Sequence, residues 1–152
     1  MKRYAQIVNQ ETKVCSVAQG ANTDFYKAIG MTEMEVEQGY DGNWYVQGYA
    51  PEKPIEEIQA EAQKQLTDAV QRVLDNKAQE LNYDDCLSVC SYIDTGVAKF
   101  DAEGKAFRAW RSAVWAKGYE ILAKVQAGER DIPTEAELLA ELPELVIDYS
   151  EA

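Results

Sequence analysis

Phe100-Asp-Ala-Glu-Gly-Lys-Ala-Phe-Arg-Ala-Trp-Arg-Ser-Ala-Val-Trp-Ala-Lys-Gly-Tyr-Glu-Ile-Leu-Ala-Lys-Val-Gln126 is the stretch around which the rest of the chain is read. Phe107, Trp110, Val114, Ile121 and Val125 recur at three- and four-residue steps, with Lys117 and Gly118 at the one gap. That step is the period of an amphipathic α-helix. Asp101 is placed to cap its first turn, and Gly128 to close it after Ala127. Two of the three tryptophans lie here.

Outward from that helix, charge is uneven within a net −12. Residues 1–53 carry 5 basic and 7 acidic side chains, and residues 54–98 carry 3 and 9. The stretch 99–128 carries 6 and 3 and is alone in being net positive, whereas 129–152 carries 1 and 8. So acidic a chain is a poor generic nucleic-acid binder, because phosphate neutralisation supplies most non-specific affinity. The basic helix is expected to meet the acidic segments of its own chain. At 152 residues and 46% hydrophobic composition there is enough apolar material for a core without disulfides or metal. No run approaches the roughly 20 apolar residues that span a bilayer, and Met1-Lys-Arg-Tyr-Ala-Gln6 lacks the apolar run of a signal peptide. Three cysteines make an odd number, which fits free thiols in a reducing compartment.

The β-prone runs Tyr4–Val8 and Val14–Ala18 flank a polar connection without glycine, a plausible first hairpin. Asn22 to Asp24 offer caps to a short helix at Phe25–Ile29, stopped by Gly30. Met34–Gln38 and Trp44–Gln47 flank Gly39-Tyr-Asp-Gly-Asn43, and Asp-Gly between such runs is a strong hairpin signal. Pro51 and Pro54 bracket a linker. Beyond it Ile58, Ala62, Leu66, Ala69, Val70, Val73 and Leu74 keep a helical step for about six turns, with Glu, Gln, Lys and Asp on the other faces. That helix resembles one strand of a coiled coil, which leaves homo-oligomerisation open. Asn82 to Asp85 break it and cap a helix at Cys86–Ile93. Thr134 and Glu137 are spaced as a capping box for a last short helix, stopped by Pro143. Leu145–Tyr149 is too short to assign.

The expected fold is therefore α+β: a small N-terminal antiparallel β head of two hairpins, then a helical subdomain with a long charged helix. The expected segments are 1–50, 51–81 (linker and long helix) and 82–152 (helical subdomain with acidic tail).

Reactive chemistry finds little footing. The chain has no histidine, so Ser-His-Asp and Cys-His arrangements are unavailable within it. Its nine glycines are scattered singly, without a phosphate loop. Cys86 and Cys90 share a helical face, but zinc normally takes four ligands and only Cys15 remains to add sulfur. Asp84 and Asp85 beside Cys86 disfavour a thiolate. No carboxylate pair is singled out by spacing. The expectation is a non-enzymatic protein with no catalytic residue, metal or cofactor.

Aromatic residues are the more promising feature. Tyr40, Trp44, Tyr45 and Tyr49 crowd the second hairpin and could offer a flat face to protein or sugar, or pack the small sheet itself. Trp115 sits about 100° around from Val114, off the core stripe. With Arg111 beside it, it is expected to be exposed and to anchor a partner.

Two passages resemble short proteins encoded in phage and prophage tail modules. The first is Gly30-Met-Thr-Glu-Met-Glu-Val-Glu-Gln38, running through Tyr40-Asp-Gly-Asn-Trp-Tyr45 to Gly48-Tyr-Ala-Pro51. The second joins Asn82-Tyr-Asp84 and Ser91-Tyr92 to Phe107-Arg-Ala-Trp-Arg-Ser-Ala-Val-Trp115 and Val125-Gln-Ala-Gly128. This second block is similar to a largely uncharacterised C-terminal domain found on tail-fibre and other tail proteins. That domain typically shows an Ala-Trp-Arg-x-Ala-Val-Trp core and a proline-led acidic ending, matched by Pro133–Pro143. The layout, a β head before long charged helices, is also similar to tail-fibre assembly proteins. The resemblance implies a phage tail-fibre or other tail protein as partner. It implies the host cytoplasm during assembly, or the virion tail, as location. Retention in the tail as a structural component and a sugar-binding role for the aromatic hairpin are the alternatives.

Overall fold

The computed structural model describes residues 1–150 and divides into two compact units, Met1–Ile58 and a second that begins at Gln59. The fold is α+β. The first unit contains β1 (Lys2–Ile7), β2 (Val14–Val17), the short helix α1 (Thr23–Ala28), β3 (Thr32–Gln38) and β4 (Trp44–Val46). Both expected hairpins form, pairing β1 with β2 and β3 with β4. They do not stay separate. β1 also pairs with β3, bringing Ala5 opposite Thr32, and β2 pairs with β4, bringing Cys15 opposite Trp44. The result is a closed antiparallel barrel in the order β1-β2-β4-β3, which leaves no unpaired strand edge. Strand alternation sends Ala5, Cys15 and Val36 inward, with Ile7, Val17, Met34, Trp44 and Val46 packed around them.

The first hairpin lacks a glycine because Asn9 does the work of its turn. The Asn9 side-chain oxygen accepts from the Glu11 and Thr12 amides at 2.9 and 3.1 Å, and Lys13 takes the left-handed conformation at φ 58°. In the second hairpin that conformation falls to Gly42, at φ 82°.

The long helix α2 (Ile55–Glu80) begins in the last residues of the first unit and runs into the second. The second unit continues with α3 (Cys86–Cys90), α4 (Ala98–Gln126) and α5 (Glu135–Glu141). One apolar core is built from Val70, Leu74 and Ala78 of α2, Cys86 and Val89 of α3, Phe107, Trp110, Val114 and Ile121 of α4, and Leu138 of α5. The C-terminal half of α2 is thus part of the helical core rather than of a separate segment. Its first turns stay in solvent, with Ile55 and Ile58 exposed.

Local signals at helix ends mostly hold. After α4 the amide of Gly128 donates to the Val125 carbonyl at 3.1 Å and that of Glu129 to Lys124 at 2.9 Å, a Schellman closure with Gly128 at φ 73°. Thr134 and Glu137 form the capping box of α5. The start of α4 differs from expectation. Its cap is Val97, with no side-chain bond. Asp101, one turn in, instead accepts from the Asp94 amide at 2.8 Å and pairs with Lys105 at 2.6 Å, so it ties the preceding turn to the helix. Gly104 lies where the turn after α3 crosses α4. A Cβ there would sit 2.8 Å from Ile93 and 3.0 Å from the Val89 carbonyl oxygen.

Residues 143–149, which include the unassigned Leu145–Tyr149, form an extended strap on the helices. Leu145 and Ile147 pack against the core while Val146 between them is 80% exposed.

Candidate functional site

The six residues singled out from sequence fall into different environments. Tyr45 is only 6% exposed, which removes its ring from any contact surface. Its hydroxyl donates to the Asp41 carboxylate at 2.7 Å, and the same side chain accepts from the Asn43 amide. The Tyr45 hydrogen bond, helped by Asn43, holds the Asp41 carboxyl below its ordinary range. Trp44 is half-buried against the barrel core, with the Arg3 guanidinium 4.8 Å from its ring centre. Only Tyr40 and Tyr49, at 48% and 55%, present their rings to solvent. They lie on either side of the three-residue β4, Tyr40 in the turn before it and Tyr49 after it. The hairpin therefore does not gather four aromatics on one face.

The backbone around Tyr49 is fixed by Glu37. Its carboxylate accepts from the Gly48 amide at 2.7 Å, the Ala50 amide at 3.1 Å and the Gln47 side chain at 3.1 Å. A carboxylate spent on three donors is a structural brace rather than a free base.

On α4 the expectation for Trp115 is corrected. Its ring is half-buried and packs on the helical core, because a residue one step from Val114 still borders the stripe where side chains of several helices meet α4. The outward aromatic on this helix is Tyr119, 68% exposed. Arg111 is half-buried, close enough to the Cys86 thiol to act on it. Burial dominates there: it pushes Cys86 up to about 12, against the opposing pull of Arg111. Cys86 is therefore a neutral thiol at ordinary pH, and Cys15 is also shifted upward by burial.

Sequence reading missed a polar cluster inside the helical unit. Glu103 is 2% exposed. Its carboxylate accepts the Tyr83 hydroxyl at 2.5 Å on one oxygen and the Tyr149 hydroxyl at 3.0 Å on the other, with the Lys99 ammonium 3.9 Å away. Burial first, then the bond to Glu103, pushes both phenols above their ordinary value, Tyr83 far above it. Tyr83 is held in turn by edge-to-face contacts with Tyr92 at 5.4 Å and Phe100 at 6.4 Å, and Tyr92 and Phe100 touch at 5.4 Å. Rings in mutual contact leave no space for a guest between them. The signal was present: continuing the stripe back from Phe107 by one turn lands on Glu103, a charge on an apolar face.

Beside the strap lies a shallow cleft of about 320 Å³, lined by the first turns of α4 with Asp101 and Lys105 and by Val146 and Asp148. Asp101 and Lys105 already neutralise one another, and the Lys105 bond holds the Asp101 carboxyl below its ordinary range. Among the described residues no three His, Cys, Asp or Glu side chains converge as a metal site requires, and no helix is long and apolar enough to cross a membrane. Comparison with known protein families, curated proteins and solved structures finds no match to this chain.

Proposed function

We propose that this chain is a non-enzymatic phage tail protein that binds a tail fibre, as an assembly chaperone or accessory. The observation that supports contact through the head is the pair Tyr40 and Tyr49, two exposed aromatic rings on a backbone braced by Asp41 and Glu37. Rigid exposed tyrosines supply contact area at low entropic cost, which suits a protein-binding surface. Asp41 and Glu37 are committed to the brace and are not free for reaction. The phage-tail assignment itself rests on the sequence resemblance at Gly30–Pro51 and Asn82–Gly128.

Co-expression with the neighbouring fibre gene tests this reading. Soluble fibre is expected to fall when the protein is omitted or carries Tyr40→Ala with Tyr49→Ala. Unchanged fibre solubility without the protein would sink the chaperone role. Mass spectrometry of purified particles then separates a chaperone, absent from virions, from a tail component present in fixed stoichiometry.

A further inference from the structure

We propose that the strap, residues 143–149, is a latch that opens from the helical core as a separate unit, with Glu103 as its catch. Extended segments in sheets are held by ladders of main-chain hydrogen bonds. This one is not: among the described residues, bonds from main chain to main chain in the C-terminal stretch stop at Leu142. Its attachment comes from side chains, Leu145 and Ile147 packed on the apolar core and Tyr149, its residue 43% exposed, reaching Glu103 with its hydroxyl. At its near end the Trp110 indole N–H donates to the Pro143 carbonyl at 2.7 Å. Leu142, which ends α5, has extended backbone (φ −70°, ψ 143°), and Pro143 cannot continue the helix, so the hinge lies at this junction.

The catch survives opening. Tyr83 keeps its bond to one Glu103 oxygen when Tyr149 leaves the other, and Tyr83 is itself clamped by Tyr92 and Phe100. The oxygen vacated by Tyr149 then faces the space the strap has left, where water can replace the phenol. Opening therefore strands no buried charge, whose desolvation would otherwise tie the strap to global unfolding. Elements with few main-chain bonds and little burial open locally, well below the free energy of the whole unit. An open latch frees the Trp110 indole N–H and uncovers the seat of Leu145 and Ile147.

Hydrogen exchange of the full chain followed by NMR tests this, because the Trp110 indole proton reports the latch and the amides of Phe107 and Val114 report the core. Relative to each group's own intrinsic exchange rate, the indole proton is expected to be at least ten-fold less protected than those amides. Tyr149→Phe, which deletes a hydrogen bond to a charged group, is expected to speed the indole roughly ten- to a hundred-fold while leaving the amides unchanged. Equal acceleration of indole and core amides would place the strap inside the core's cooperative unit and overturn the proposal. An indole rate that Tyr149→Phe leaves untouched would overturn the role of Glu103 as catch.

Discussion

The barrel and the helical unit solve the problem of a small core in opposite ways. The barrel has three fully inward small or medium residues, Ala5, Cys15 and Val36, and compensates with closure: every strand has two hydrogen-bonded neighbours. Its turns are set by single polar side chains, Asn9, Asp41 and Glu37. The helical unit buries ten apolar residues, among them Phe107, Trp110 and Leu74, in one cluster. It also admits one charge, Glu103, at the rim of that cluster. A unit held by main-chain ladders should be sensitive to turn residues and tolerant of core truncation. One held by side-chain packing should show the reverse.

The largest expected effect separates the two directly. Phe107 is wholly buried and stacks edge-on against Trp110 at 5.5 Å. Phe107→Ala should cost the helical unit about 3–5 kcal/mol, from lost burial plus the cavity left behind. Thermal unfolding followed by NMR should show the α4 amides melting earlier while the β1–β4 amides keep their midpoint. Coincident loss of both sets would break the comparison. A smaller effect is expected at Gly104. Alanine there gains about 1 kcal/mol of helix propensity, but overpacking costs roughly 1–3 kcal/mol. Because one clashing atom is the Val89 backbone oxygen, which cannot rotate away, overpacking wins. Gly104→Ala should lower helical-unit stability by about 1 kcal/mol, measurable by denaturant titration.

Which parts were legible beforehand follows from the same contrast. Signals that live within a few residues came through: the period of α4, the capping box at Thr134 and Glu137, the Asp-Gly turn and the Gly128 stop. What failed depended on tertiary contacts, distant in sequence for the barrel closure and the strap. Barrel closure requires β1 to meet β3, about thirty residues away by the Lys2–Glu35 pairing, and no local pattern encodes that choice. Tyr45 looked like a surface ring until Gly39 and Asp41 closed over it. A single apolar stripe places Trp115 outside it, whereas a core fed by several helices widens the covered face. The strap escaped because its partners, Trp110 and Glu103, lie 33 and 46 residues upstream of Pro143 and Tyr149.

In the barrel the sensitive point is predicted to be a turn. Tyr45→Phe keeps the ring and removes only the hydroxyl that donates to Asp41. The head's midpoint should fall by a few degrees while the helical unit's stays put, read by the same residue-resolved melt. No change would mean that strand closure alone holds the hairpin and that its polar brace is idle.

The smallest effect touches neither core. Tyr149 is pushed above the ordinary phenol value of 10.0, first by burial and then by its bond to Glu103. A group whose folded value is raised contributes stability that is fully present below its unfolded value and is lost as pH rises through the folded one. The strap should therefore stay seated across neutral pH and begin to leave only above about 10, once a phenolate would face the Glu103 carboxylate. Subtracting the phenolate absorbance titration of Tyr149→Phe from that of the unaltered chain isolates this one group. Its midpoint should lie above that of a free tyrosine, and Glu103→Gln should bring it down, since an amide acceptor no longer repels the phenolate. A midpoint at the ordinary value would mean that the Tyr149 hydroxyl spends its time in water, and that the strap rests on Leu145 and Ile147 alone.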